Sequence, residues 1–116
     1  MSETAPTIEA TLPVYHEGTQ AQAAIAAAEK PVLLQFSADW CGPCKRMSPV
    51  VDKVIASFEE KLDFFRLNVD ENQALSQSLA VKGIPHFILM KDGAVFDRWA
   101  GAQPESEFVA RVARNV

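Results

Sequence analysis

The two cysteines of the chain, Cys41 and Cys44, stand where a strand pattern gives way to a helix pattern. Residues 31–37 form a nearly continuous apolar run, which is typical of a strand covered on both faces. The apolar residues after the cysteines recur at helical spacing: Met47, Val50, Val51, Val54, Ile55 and Phe58. A covered strand that leads directly into a long amphipathic helix predicts a parallel or mixed sheet with helices packed on it.

The Cys-x-x-Cys spacing places the two thiols on one face of a helical turn, close enough to form a disulfide. Cys41 enters the helix near its unpaired N–H groups and the positive end of its dipole, which favour a thiolate over a thiol. Cys44 lies one turn further in and is expected to be less accessible. The pattern therefore predicts Cys41 as the nucleophile and Cys44 as the thiol that resolves a mixed disulfide.

A lone Cys-x-x-Cys pair is also compatible with half of a zinc site or with a structural disulfide. A zinc site needs two further ligands, but the chain has no other cysteine and only His16 and His86, without paired spacing. A disulfide that closes four residues constrains the unfolded chain little. We therefore expect redox chemistry and no bound metal. A binding module or subunit of a complex, with non-catalytic thiols, stays open as a second class of function.

An apolar strand leads into the motif Trp40-Cys41-Gly42-Pro43-Cys44-Lys45, and this combination resembles the thioredoxin family. Further residues stand in the order and spacing that the family shows: Phe36, Ala38, Pro49, residues 67–70, residues 83–85, residues 91–93 and Gly101. The resemblance covers residues 30–115. It implies the thioredoxin fold, an α/β architecture with a mixed central β-sheet flanked by helices on both faces.

The resemblance also implies a docking surface for the extended chain of a partner. Its residues would be Trp40, Gly42, Pro43, Ile84, Pro85 and Gly101. The backbone beside Pro85, a cis proline in the family, would pair with the substrate as an added strand. Trp99 on the last predicted strand is expected to serve core or edge packing.

Three residues near the cysteines depart from the family pattern. Gln35 stands where family members usually carry a buried Asp that exchanges a proton with the resolving thiol, which an amide cannot do. Arg66 replaces the usual Lys, so a permanent charge replaces a titratable one. With Lys45, whose charge favours a thiolate at Cys41, these two residues are expected to tune the pKa values of the thiols. His86 stands where Thr is common. Packing is its expected role, although a histidine near the resolving thiol would be able to move the proton.

Patterns elsewhere predict the remaining elements. They are an edge strand at 11–15, a helix at 18–29 stopped by Pro31, strands at 62–69, 85–90 and 94–100, a helix at 72–80, and a last helix opened by residues 103–105. Asp92-Gly93 is typical of a hairpin turn, and the last helix should bury Phe108 and Val112. Pro49 predicts a kink near residues 45–49.

A chain of 116 residues suits one domain, with residues 1–10 expected as a flexible tail and residues 11–116 as a single thioredoxin domain. The net charge of -4 without a Lys/Arg cluster argues against binding to nucleic acid or an anionic membrane. The first residues have neither a positively charged segment nor an apolar run, so a cytoplasmic protein is expected. A monomer is the expected oligomeric state.

The expected activity is reduction of protein disulfides in cell redox homeostasis, because Gly-Pro between the cysteines resembles the reductases of the family rather than its oxidases or isomerases. The sequence contains no G-x-G-x-x-G or P-loop motif, so electrons must come from another protein. The resemblance implies NADPH as their source and a thioredoxin reductase as the partner that delivers them.

Overall fold

A computed structural model describes residues 14–15, 25–58 and 60–116 of the chain. Its elements are, in order, β1 (Val14–Tyr15), β2 (Val32–Ser37), α1 (Gly42–Phe58), β3 (Asp63–Asn68), α2 (Gln73–Ser78), β4 (His86–Lys91), β5 (Ala94–Ala100) and α3 (Glu105–Ala113). Residues 25–27 are also helical. The predicted tail, the start of the predicted edge strand and most of the predicted first helix lie outside the described residues.

The strands form one mixed sheet in the order β1-β3-β2-β4-β5. β1 and β2 pair with β3 in parallel, and β4 and β5 extend the sheet antiparallel. β2 is central, and its first five residues are all buried, which explains why its apolar pattern does not alternate. The predicted edge position of residues 11–15 is confirmed for the two residues of β1.

Helices cover both faces of the sheet, as predicted. One core cluster joins α1 and α3 to the sheet through Met47, Val51, Val54, Ile55, Phe108 and Val112, which pack on Leu33, Phe64, Phe87 and Leu89. The cluster on the other face contains Ile25, Leu34, Phe36, Phe65, Leu67, Leu75 and Ile88. The predicted apolar stripe of α1 is confirmed as core, with Val50 and Phe58 partly buried against it. None of the helices in the described ranges is long and apolar enough to span a bilayer.

Three aromatic rings form the centre of the α1 and α3 side of the core. Phe87 stacks on Trp99 with ring centroids 5.7 Å apart, and Phe108 packs edge-on against both, at 4.8 Å from Phe87 and 5.8 Å from Trp99. The Arg111 guanidinium lies 4.7 Å from the Trp99 ring centroid. The packing role predicted for Trp99 is confirmed.

The predicted turn at Asp92-Gly93 is confirmed, since both residues have positive φ (55° and 80°), as a tight hairpin turn of type I′ requires. Some helix ends differ from the predictions. The helix predicted to reach residue 80 ends at Ser78, and Ala80 has a left-handed φ of 57°. The helical segment before Pro31 ends at residue 27, short of the predicted residue 29. Pro49 lies inside α1, and the kink there stays a prediction.

Candidate active site

The cysteines lie where β2 ends and α1 begins, and they form a disulfide with their Cα atoms 5.3 Å apart. α1 starts at Gly42, so Cys41 precedes the helix rather than lying within it. The carbonyl of Cys41 accepts the N–H of Lys45 at 3.3 Å, and its Sγ accepts the N–H of Cys44 at 3.2 Å. Cys41 therefore occupies the N-cap position, where a side chain satisfies an otherwise unpaired N–H of the first turn.

Both cysteines are buried in the disulfide form, with 4% of Cys41 and 3% of Cys44 exposed. The predicted difference in accessibility is therefore not seen, because both sulfurs pack in one apolar cluster with Ala38, Val69 and Ile84. The two sulfurs differ in their contact with the start of α1, because the backbone N–H of Cys44 donates a hydrogen bond to Sγ of Cys41.

Trp40 is the most exposed of the large apolar side chains in the described part of the chain, at 69%. Its indole N–H donates to Oδ2 of Asp70 at 2.9 Å, so the ring is held although it faces solvent. Beside it lies a groove of about 370 Å³, here called the Trp40 groove, lined by Trp40, Val69, Ser76, Val81, Lys82, Gly83 and Ile84. Two of the residues predicted for docking, Trp40 and Ile84, thus share one concave surface.

The remaining docking candidates lie around the same end of the sheet. The Ile84–Pro85 peptide bond is cis, as the resemblance implies. The carbonyl of Pro85 accepts the N–H of Gly101 at 2.8 Å, and Gly101 has a φ of 94°, which a residue with a side chain rarely adopts. Gly42 is exposed and Pro43 half-buried in the first turn of α1. The docking role of all six candidate residues stays a prediction.

A second cavity lies behind the resolving cysteine. This Cys44 cavity has a volume of about 160 Å³ and is lined by Gln35, Ser37, Ala38, Asp39, Cys44, Lys45, Ser48 and Arg66. The structure thus brings together all three residues predicted to tune the thiols. Because its lining is mostly polar and its volume exceeds that of several water molecules, the cavity suits bound water.

Gln35 and Arg66 are cross-strand partners of β2 and β3 in this cavity. Gln35 is buried, and its Oε1 accepts a hydrogen bond from Nε of Arg66 at 3.1 Å. Nη2 of Arg66 lies 3.7 Å from Oδ1 of Asp52 on α1. Burial lowers the pKa of Arg66 and the charge of Asp52 opposes this, but a guanidinium stays protonated at physiological pH. The site therefore carries a permanent positive charge bound to a neutral amide.

His86 lies on the other face of the sheet. Its cross-strand partner is Phe36, a member of the core cluster opposite α1, whereas Gln35 pairs with Phe87 on the α1 side. Nε2 of His86 contacts Nη2 of Arg98 at 3.1 Å. The packing role is confirmed, and a role in proton transfer at Cys44 is not supported, because the sheet separates the two side chains.

His86 should make the stability of the protein sensitive to mild acid. Burial and, second, the positive charge of Arg98 lower its pKa below the ordinary value of 6.5, while the nearby Gly83 backbone opposes this. The unfolded chain then binds the proton more readily, so this stabilising contribution is complete above about pH 6.5 and is lost as pH falls through the folded pKa.

We expect His86→Gln to lose less unfolding free energy than wild type between about pH 7.5 and pH 5. Urea titrations at both pH values measure this difference. Equal losses in the two proteins would contradict the assignment to His86.

Sequence reasoning missed several residues that complete the site. Asp70 holds the Trp40 ring, and Ser48, whose hydroxyl donates to the Cys44 carbonyl at 3.3 Å, lines the Cys44 cavity. Asp52 pairs with Arg66. Helical spacing was a usable signal for Ser48 and Asp52, because they follow Cys44 at i+4 and i+8 and so lie on the same face of α1. Only the tertiary fold brings Asp70 to Trp40.

Comparisons with known proteins agree with this geometry. The family model described as Thioredoxin matches residues 13–114. The thioredoxin of Pseudomonas aeruginosa is 42% identical over 89 residues, which cover 77% of this chain and 82% of that protein. That of Chlorobaculum thiosulfatiphilum is 33% identical over 104 residues, covering 88% and 96%. Among solved structures, a thioredoxin of Nicotiana alata matches with a TM-score of 0.81 and 28% identity over 98% of this chain and 97% of that one. The thioredoxin of Malassezia sympodialis matches with a TM-score of 0.78 and 30% identity over 87% of each chain.

Proposed function

The chain belongs to the thioredoxin family and is a dithiol–disulfide oxidoreductase, and on this premise we propose that it reduces protein disulfides with Cys41 as the attacking thiol. The observation that carries this assignment is the hydrogen bond from the Cys44 N–H to Sγ of Cys41, 3.2 Å long, at the N-terminus of α1. In the reduced protein the same N–H, with the helix dipole, stabilises negative charge on the Cys41 sulfur. Cys44 lies inside the helix and serves as the resolving thiol.

The reaction proceeds in two exchange steps. The Cys41 thiolate attacks one sulfur of the substrate disulfide, so that a mixed disulfide forms and the other substrate sulfur leaves and takes up a proton from water. The Cys44 thiolate then attacks Sγ of Cys41, which restores the Cys41–Cys44 disulfide and releases the second substrate thiol. Two electrons pass from the protein dithiol to the substrate, and the protein needs no bound cofactor for either step.

Substrate docking is assigned to the surface around the disulfide. The Trp40 groove supplies an apolar surface for the substrate. Because Asp70 already holds the Trp40 ring in place, ordering that ring costs less entropy when a substrate binds. Backbone groups beside Pro85 and Gly101 would pair with an extended substrate chain, and Gly42 and Pro43 border the disulfide at the start of α1. Such a surface selects for an accessible disulfide in an extended segment rather than for one sequence.

A thioredoxin reductase that draws on NADPH is proposed to restore the dithiol, because the chain itself has no nucleotide-binding motif. The cytoplasm is the proposed location, since its glutathione and thioredoxin pools keep such a pair cycling through the dithiol form. A monomer suffices for the proposed reaction, since both thiols and the docking residues come from one chain. A binding module with non-catalytic thiols is not favoured, because the matched relatives are thioredoxins.

Reduction of insulin disulfides tests the proposed function. With NADPH and a thioredoxin reductase, or with dithiothreitol as the reductant, the wild-type protein should turn over many substrate equivalents. The Cys41→Ser/Cys44→Ser double variant should show only the rate of the reductant alone. A wild-type protein that is inactive with both reductants would overturn the proposal, as would full activity of the double variant.

A further inference from the structure

Among the described residues that line the Cys44 cavity, Arg66 supplies a half-buried positive charge, and the one carboxylate, that of Asp39, is exposed. Nε of Arg66 is bound to the neutral amide of Gln35. Nη2 is buried and finds no hydrogen-bond acceptor among the described residues, since Oδ1 of Asp52 at 3.7 Å is too distant. An unpaired guanidinium N–H beside a polar cavity is best satisfied by water.

The resolving thiol needs to be ionised at the moment it attacks, and its surroundings limit how this happens. The charged groups around the cavity are Asp39 and Lys45, which are both exposed, and Arg66 with its neighbour Asp52. The apolar cluster on the other side of Cys44 contributes no charge. Solvent screens the exposed pair, whereas the Arg66 side chain is only 28% exposed, less than the 41% of Asp52. Arg66 is therefore the least screened charge near this thiol.

We propose that Arg66, oriented by Gln35, stabilises the Cys44 thiolate through water in the Cys44 cavity, so that a fixed positive charge activates the resolving thiol in place of a titrating base. Gln35 and Arg66 act here as positioning residues. The proposal deepens the proposed function and depends on it for its place in the reaction.

The proton and electron transfers balance without another reactant. The Cys44 thiol releases its proton to cavity water, which passes it to bulk solvent. A water molecule that accepts a hydrogen bond from Nη2 has both protons free to donate toward the sulfur, and this arrangement stabilises the thiolate. The thiolate then forms the bond to Sγ of Cys41, and the bond from Cys41 to the substrate sulfur breaks.

Stopped-flow reaction of the reduced protein with dithiobis(nitrobenzoic acid) separates the two steps. Attack by Cys41 releases the first coloured thiolate, and resolution by Cys44 releases the second. Arg66→Gln should slow the second phase about tenfold near pH 7, since an opposite charge close to an ionisable group changes its ionisation by a factor of ten or more. The wild-type rate should return at higher pH and in Arg66→Lys, which keeps the charge.

Asp52→Asn should have the opposite effect, because it removes the charge that partly offsets Arg66. Its second phase should be about two- to fivefold faster than wild type near pH 6. Lys53→Gln is the matched control: it removes one positive charge from an exposed position of α1 that pairs with Glu105, and both phases should be unchanged. A second phase with the same pH profile in wild type and Arg66→Gln would overturn the proposal, as would a similar slowing in Lys53→Gln.

These measurements distinguish a failure of this inference from a failure of the proposed function. A protein that fails to reduce insulin but shows opposite shifts in Arg66→Gln and Asp52→Asn retains the inferred activation and loses only the proposed substrate class. Conversely, active reduction of insulin with no dependence on Arg66 would leave the proposed function standing and remove this inference. Urea titration of each variant verifies that the compared proteins are folded.

Discussion

A Cys44→Ala variant is expected to complete the first exchange step and then to remain bonded to its substrate through Cys41. The physical reason is that Cys41, at the N-cap of α1, keeps its contact with the backbone N–H of residue 44, which the substitution does not remove. Without a second thiol on the chain, only external reductant can release the mixed disulfide. Turnover should therefore fall to the background rate, while one substrate equivalent per chain becomes covalently attached.

Intact-mass spectrometry after mixing with a disulfide substrate measures the adduct, and reduction with dithiothreitol should reverse it. The matched control is Cys41→Ala, which keeps Cys44 but should form little adduct in the same time, because Cys44 lacks the N-cap position. If the Cys41→Ala variant captures substrate as fast as the Cys44→Ala variant does, the roles assigned to the two thiols are wrong.

Phe108→Ala is expected to lower the free energy of unfolding by about 3–5 kcal/mol, a large part of the roughly 5–15 kcal/mol that is typical of a domain. Phe108 has no exposed surface and packs edge-on against Phe87 and Trp99. Removal of the ring leaves a cavity between α3 and the sheet that rigid neighbours cannot fill. Urea unfolding followed by circular dichroism measures the loss as a lower midpoint with an unchanged slope.

Phe96→Ala on β5 is the matched control, because it removes the same side chain from a position that is 41% exposed. Its cost should stay below about 1 kcal/mol, since little apolar surface returns to water. Similar costs in both variants would mean that the ring cluster contributes less than its burial implies. The folded fraction of Phe108→Ala should still show both phases with dithiobis(nitrobenzoic acid), because the cysteines pack in a separate cluster.

Much of the fold could be predicted because its signals are local. The buried central strand, the stripe of α1, the Asp92-Gly93 turn and the last helix each follow from residue patterns within one element, and each is confirmed. The helix ends were less predictable, since the residues near Ala80 have no strong stop signal in the sequence.

The position of His86 shows where local patterns fail. His86 directly follows Pro85, which the family resemblance places beside the cysteines. The sequence was therefore compatible with a His86 side chain near the resolving thiol. The face on which the His86 side chain lies depends on the register between β2 and β4, in which it pairs with Phe36. A shift of one residue in that register would move it to the α1 side, and the register is set by packing across the whole sheet.

The sequence by itself determined the chemistry of the site, because two thiols at i and i+3 at a helix start are a local arrangement that needs no tertiary contact. The tertiary structure alone decided what surrounds those thiols. Parallel pairing of β2 with β3 places Arg66 beside Gln35, and the packing of α1 on the sheet brings Asp52 within 3.7 Å of that guanidinium. These contacts join residues far apart in the chain, so they depend on the strand register and helix packing of the whole domain.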